Sequence, residues 1–333
     1  MSAWITFALS SIGIVLAGFW LAPFGEAIGK HLRIGQGWIG LIFLATLTSI
    51  PEMTTTVTGA SIGAPNIALG NAFGSNLFNI AIIGVLDILL LKRRPGSFLA
   101  HVRPYHTISA GMAILLTAVA MLGILWNPSG TLFGISPISF IILIGYGVGV
   151  FMLFQVERQQ AEEEEAVRPK MSLLKALIGF AICGGVIIVS GIFLVQASKE
   201  ISLSTGLSAS FMGAILVAIV TSLPELATSI GALRIGAHDM IVGNLFGSNM
   251  FNILTIFFAD IAFRRGSILG NLGGGESDQL LVAGCGIILT GIALVSIGAR
   301  SKRRLFGVGA DSIILLVVYV AVTAVIIGRG IQL

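Results

Sequence analysis

Apolar runs of membrane length recur along this chain, set apart by short polar or Gly/Pro-rich joints. A spanning helix needs about 20 consecutive apolar residues. Ten stretches meet that requirement: 3–23, 36–62, 67–91, 105–126, 131–154, 173–197, 208–234, 240–263, 277–298 and 309–329. The joints include RRPG at 93–96, NPSG at 127–130 and NLGGG at 271–275. None of the runs shows the two-residue alternation of a membrane barrel. The pattern predicts an all-α integral membrane protein with ten transmembrane helices. Residues 2–21 carry no basic n-region and no clear small-residue cleavage signal, so the first run reads as a retained helix.

Two of these runs are near copies of two others. Residues 41–80 and 214–253 align without a gap, about half their positions are identical, and Glu52 falls on Glu225. Five predicted helices precede the polar segment 155–172 and five follow it. An odd number forces the second copy to enter the membrane from the opposite side. The chain therefore divides into a five-helix repeat at 1–154, a linker at 155–172 and an inverted five-helix repeat at 173–333. Transporters built this way commonly hold substrate near the bilayer midplane between the halves.

Charge placement agrees with that layout. Counting helix-end residues with the nearest loop, 15 of the 19 Lys and Arg fall on the side of loops 24–35, 92–104, 155–172, 235–239 and 299–308. The other side keeps only Lys199, Arg264, Arg265 and Arg329. Positive residues favour the cytoplasm, so the linker is predicted inside and both termini outside. With 56% hydrophobic and 10% charged residues the chain belongs in a membrane, and its net +4 gives no argument for nucleic acid. Cys183 and Cys285 stand alone in apolar runs and read as small packing residues. His31, His101, His106 and His238 lie in or beside loops and read as interfacial. The acidic run Glu162 to Glu165 reads as solvated linker.

The chemistry concentrates at mid-membrane. Each of Glu52 and Glu225 costs roughly 2.5–3.5 kcal/mol to insert, which makes an intramembrane carboxylate a functional-site hypothesis. Asn79 and Asn252 share their depth. Hydroxyls accompany both pairs: Thr48 and Thr221 four residues before each glutamate, Ser75 and Ser248 one turn before each amide. Oxygen donors of this kind suit hard cations such as sodium and calcium. Pro51 and Pro224 precede the glutamates and remove one helical hydrogen bond each, freeing the carbonyls of Leu47 and Val220. This predicts broken helices lining a wet cavity. Gly70, Gly74, Gly243 and Gly247 read as close helix contacts. Asp87 and Asp260, also repeat partners, are predicted to pair with Lys92 and Arg264 near the membrane faces.

TSIPEM with GNAFGSNLFNI, and TSLPEL with GNLFGSNMFNI, resemble the two alpha repeats of the calcium/cation antiporter superfamily, in its sodium/calcium exchanger branch of prokaryotic type. The resemblance covers essentially the whole chain. It implies cation sites clustered between the second, third, seventh and eighth helices. Carried over by position, the ligands are Glu52, Glu225, Asn79, Asn252, Thr48, Thr221, Ser49, Ser222, Ser75 and Ser248, with the carbonyls of Ala45 and Ala218. The first and sixth helices, bearing Gly13, Gly18, Gly179, Gly184, Gly185 and Gly191, would slide across the core to alternate access. Three departures stand out. Leu47 and Val220 occupy the family's usual glycine before Thr-Ser. Asn252 stands where several relatives carry aspartate, which argues against potassium coupling. Segment 155–172 holds no counterpart of the large calcium-sensing domains of animal exchangers.

The expected activity is secondary-active exchange of sodium for calcium across the cell membrane, with calcium exported, by a monomeric transport unit without a cofactor. Two glutamates balance one calcium ion or two sodium ions, and competition for them is the coupling. Family-type exchange of three sodium ions for one calcium moves one net charge, about 2.3 kcal/mol at 100 mV. The rival readings are a proton-coupled antiporter of calcium or another divalent cation, which would use the same glutamates, and a passive cation channel. An intramembrane enzyme finds little support, for no HExxH and no phosphate-cradling glycine loop is present.

Overall fold

The computed structural model describes residues 3–32, 35–89, 97–126, 131–132, 134–163, 171–205, 217–300, 303–305 and 307–330. Its helices are α1 (Ala3–Leu32), α2 (Gln36–Thr48), α3 (Ile50–Ser61), α4 (Pro65–Leu89), α5 (His106–Trp126), α6 (Pro137–Glu163), α7 (Leu173–Thr205), α8 (Ala218–Thr221), α9 (Leu223–Arg234), α10 (His238–Ala262), α11 (Glu276–Ala299) and α12 (Ala310–Gly330). Among the described residues eight of these are long and apolar enough to cross a membrane, and α2 with α3 passes the same test only as a pair, bent by 45°. Part of the predicted run 208–234 lies outside the described residues. Among the described residues one pair of strands, Arg304–Leu305 against Val308–Gly309, closes the loop before α12.

Burial sorts the helices into a centre and a rim. The spanning windows of α4 and α10 are 78% and 89% buried, against 28% for those of α6, α7 and α12. The two central helices are also the least hydrophobic of the eight spans. A helix shielded from lipid by its neighbours is free to carry amides and hydroxyls, and these two do. Around them α10 packs on α2, α3, α4, α5 and α6, while α11 lies along α4 and α5 and α12 along α4. Close approach depends on missing side chains: a Cβ on Gly247 of α10 would stand 2.5 Å from the Leu41 carbonyl of α2.

The predicted break beside each proline is present, and it comes twice with one geometry. The chain leaves the helical region at Ser49 (φ −91°, ψ 10°) and at Ser222 (φ −89°, ψ 9°). Pro51 and Pro224 then sit in the first turn of α3 and α9, where no N–H is required of them. In α2, residues Ile39–Leu44 also widen to π-helix, a distortion often found at functional sites.

Other expectations are corrected. The predicted loop 24–35 is helical as far as Leu32, and the Lys30–Glu26 pair, 2.8 Å apart and one turn along, helps hold that last turn. Lys92 lies outside the described residues, but Asp87 does not behave as an interfacial ion. It is 1% exposed and accepts from the backbone N–H groups of Phe98 (2.9 Å) and Gly309 (2.7 Å). Asp260 is equally buried and accepts from Ser136 N (2.6 Å), Ile268 N (2.8 Å) and Ser139 Oγ (2.8 Å), with no ion pair to Arg264 among the described residues. These aspartates lie at the ends of the central helices, where connecting chain folds back with unpaired N–H groups. Satisfying those donors outweighs reaching for a solvated cation.

Removing Asp260 strands three donors at once. Asp260→Leu is expected to lower unfolding stability in detergent by on the order of 3 kcal/mol, and Asp87→Leu by a comparable amount. Thermal unfolding of the purified variants checks this, and unchanged midpoints would count against the assigned role.

Candidate functional site

The two helix breaks face each other across the centre of the molecule. Ser49, at the first break, donates to Glu225 Oε1 at 2.9 Å. Ser222, at the second, donates to Glu52 Oε1 at 2.9 Å. Each acid is thus solvated by the hydroxyl of the other copy. Ser248 adds a second donor to Glu225 Oε1 at 3.2 Å. All of these side chains are 0% exposed, as are Thr48, Thr221, Ser75, Asn79 and Asn252.

The threonines do not sit on a continuous face with the glutamates, because the breaks intervene. Thr48 donates to the Leu44 carbonyl at 2.9 Å and reaches Asn244 Oδ1 at 3.4 Å. Thr221 donates to the Ala218 carbonyl at 3.2 Å, reaches Asn71 Oδ1 at 3.3 Å and lies 3.5 Å from Ser75 Oγ. The Ala45 and Ala218 carbonyls accept the N–H groups of Ser49 (3.0 Å) and Ser222 (3.1 Å). All twelve positions named from the sequence therefore belong to α2, α3, α4, α8, α9 and α10 or to the two breaks.

Four asparagines were missed. Asn76 Nδ2 donates to the Asn249 carbonyl at 3.1 Å, and Asn249 Nδ2 returns the bond to the Asn76 carbonyl at 3.3 Å. Their own side-chain oxygens accept from Asn252 Nδ2 and Asn79 Nδ2, both at 3.1 Å. Asn71 ties the start of α3 to α4 through the Glu52 carbonyl (3.1 Å) and Thr56 Oγ1 (3.0 Å). Asn244 is its counterpart in the sequence of the second copy, but it accepts from Thr48 Oγ1 at 3.4 Å while its Nδ2 has no partner among the described residues. The signal was available, since all four are identical between the copies.

What remains unpaired defines the chemistry. Glu52 Oε2, Glu225 Oε2, Asn79 Oδ1 and Asn252 Oδ1 are buried and have no donor among the described residues. Buried polar atoms rarely go unsatisfied. Four acceptors left over on the matched glutamates and amides of the two copies are short of positive charge, and hard oxygen is what sodium or calcium would coordinate. Among the described residues no three His, Cys, Asp or Glu side chains cluster as a metal site, so carboxylate would have to act together with amide and hydroxyl.

A second polar cluster lies elsewhere, where α2, α5, α6 and α10 meet. His106 and His238, expected at the interface, are 1% and 9% exposed. His106 Nε2 lies 3.3 Å from Asp239 Oδ1, which also accepts from Arg103 N at 2.9 Å. Tyr105 donates to Glu157. Burial, with Glu157 beside it, holds the Tyr105 phenol far above its ordinary range, so it stays a donor.

The exchanged serine–glutamate bonds predict energetic coupling between residues remote in sequence. In a double-mutant cycle, Ser49→Ala and Glu225→Gln should be non-additive in unfolding stability by about 1.5–3 kcal/mol. Simple additivity would mean that this contact is not made.

A profile of the sodium/calcium exchanger protein family matches residues 2–156 and 175–328. The chain is 24% identical over 285 residues to sodium/calcium exchanger MaX1 of Methanosarcina acetivorans, covering 74% of this chain and 79% of the relative. It is 29% identical over 252 residues to the uncharacterised membrane protein MJ0091 of Methanocaldococcus jannaschii, covering 74% and 77%. A solved structure of the sodium-calcium exchanger NCX_Mj, soaked with sodium and strontium, superposes with a TM-score of 0.73 over 97% of each chain at 22% identity, a likeness of fold. Since the family profile takes in every helix that contributes to the central chamber, the chain belongs to the sodium/calcium exchanger protein family.

Proposed function

We propose that this protein is a secondary-active antiporter that exchanges sodium for calcium at a single central chamber by alternating access. The observation that carries the reading is the set of four donorless acceptor oxygens, on Glu52, Asn79, Glu225 and Asn252. They come equally from both copies, at a depth where an uncompensated carboxylate is costly. Ser49, Ser75, Thr48, Ser222, Ser248 and Thr221, with the carbonyls of Ala45 and Ala218, complete an oxygen-lined site. Sodium and calcium are close in size, so one cage serves either but not both together, and that exclusion couples the two flows.

The side chains of the site are fully buried in this conformation, as an occluded intermediate requires. Alternation then needs a moving element. Helices α1 and α7 pack on each other and reach the breaks through small residues: a Cβ on Gly18 would stand 2.6 Å from Ala227 of α9, and one on Gly191 2.5 Å from Pro51 of α3. Such smooth contacts suit sliding. The reading is completed by ten spans in two inverted repeats, 1–154 and 173–333, joined by a cytoplasmic linker at 155–172, with both termini outside. Two family matches on either side of 157–174 support it, as does the recurrence of the helix break 173 residues on, at Ser49 and Ser222. Basic loops favour the linker side as cytoplasmic, and the reading is completed by a monomeric unit in the cell membrane that exports calcium.

Everted membrane vesicles test this directly. Sodium loading is expected to drive calcium uptake, and Glu52→Gln or Glu225→Gln to abolish it while leaving protein levels intact. Uptake driven by a pH gradient and indifferent to sodium would reject sodium coupling.

A further inference from the structure

We propose that Asn71 and Asn244 latch the two half-helices of the site in turn, and that this conformation holds the Asn71 latch closed and the Asn244 latch open. This deepens the exchanger reading above and rests on it. Residues matched between the copies, 173 positions apart, mostly make matched contacts. Ser49 and Ser222 each reach the opposite glutamate at 2.9 Å. Thr48 and Thr221 reach Asn244 Oδ1 and Asn71 Oδ1 at 3.4 and 3.3 Å. The turns that follow α3 and α9 agree too, with Gly63 at φ +77° and Gly236 at φ +76°.

The match fails at the amide nitrogens. In the first copy Asn71 Nδ2, on α4, donates to Thr56 Oγ1 at 3.0 Å and to the Glu52 carbonyl at 3.1 Å, both on α3. The counterparts in the second copy are Asn244 Nδ2 on α10 and Ser229 Oγ on α9. Both residues are 1% exposed, and neither atom has a partner among the described residues. A buried donor and a buried acceptor that could satisfy each other are thus left apart, which is unfavourable. Two further mismatches accompany it. Ser248 donates to the glutamate of its own copy at 3.2 Å, whereas Ser75 lies 3.5 Å from Thr221. Gly191 of α7 packs on Pro51, but its counterpart Gly18 of α1 packs on Ala227, three residues past Pro224. Along a helix that offset is about 4.5 Å.

These differences describe two settings of one device. Asn71 holds α3 through its Nδ2 and, through its Oδ1, takes the hydroxyl of Thr221 just before the other copy's break. The copies match in sequence and are inverted in the membrane. When they trade roles, Asn244 bonds Ser229 and the Glu225 carbonyl, and Asn71 releases Thr56. With the linker cytoplasmic, α3 runs from the site toward the outer face and α9 toward the inner face. The closed latch therefore shuts the outer half here, and the open one leaves the inner half free to move. Asn71 and Asn244 are positioning residues, since they set the half-helices that carry Glu52 and Glu225.

Vesicles of both orientations test the sidedness. Thr56→Val removes an acceptor of the outer latch and favours the state open to the outside. It is expected to raise the half-saturating calcium concentration at the cytoplasmic face, read in everted vesicles. At the outer face, read in right-side-out vesicles, it should lower that concentration. Ser229→Ala is expected to do the reverse. Each shift should be roughly two- to tenfold, the worth of one neutral hydrogen bond, and Thr56→Ser should restore the wild-type values. Shifts of one sign in both variants, or none, would overturn the alternation. Amide hydrogen exchange of the purified proteins reads the latch without transport. Thr56→Val should speed exchange in α3, whereas Ser229→Ala should leave α9 unchanged, having no bond to lose in this conformation. Equal effects on α3 and α9 would also overturn the latch. Absence of sodium-driven calcium flux in the wild type would overturn the exchanger reading instead, with hydrogen exchange still deciding the latch.

Discussion

Two carboxylates stand at the centre of a membrane protein with no basic side chain paired to them among the described residues, and the rest of the architecture answers that problem. Cation neutralisation would complete the answer, but the protein does part of the work itself. It breaks two helices at Ser49 and Ser222, which frees polar groups at membrane depth, and sends each break's serine to the opposite glutamate. It then surrounds both acids with the two helices that lipid touches least, α4 and α10. Remove either device and a charged oxygen would lie in an apolar interior with too few hydrogen bonds to hold it.

Much of this was legible from the residues. Apolar run length located the eight long helices, since no other globular requirement calls for so many uninterrupted apolar residues. The duplicated Pro-Glu steps announced the breaks, because proline cannot complete a helical hydrogen bond wherever it is placed. Paired oxygen side chains at matching positions pointed to the chamber. The illegible parts have physical reasons as well. Which hydroxyl serves which acid depends on tertiary crossing, and nothing local in TSIPE says that Ser49 will reach Glu225 rather than Glu52. The asparagine latch was hidden for a different reason. An amide in a small-residue helix looks like packing until its partner on another helix is known.

The aspartates and histidines show where sequence distance misleads. Asp87 and Asp260 were assigned to cations near them in the chain, yet their strongest claimants are N–H groups brought in by distant turns. Gly309, bonded by Asp87, lies 222 residues away. His106 and His238 lie beside loops in the sequence, but the chain folds inward there: Asp239, Tyr105 and Glu157 gather around His106, and the Phe98 ring packs against His238. In both cases a polar residue at the edge of an apolar run was drawn beneath the surface by the need to satisfy buried donors and acceptors.

The crossed serines also bear on what counts as a working part of this molecule. Glu52 takes its hydroxyl from Ser222 and Glu225 takes one from Ser49, so neither half carries a finished pocket of its own. Cut the chain in the linker and each fragment keeps its acid but loses a donor that solvates it. The solvation of the acids is then shared between the two copies: loss of a serine in one strips a hydrogen bond from the acid of the other.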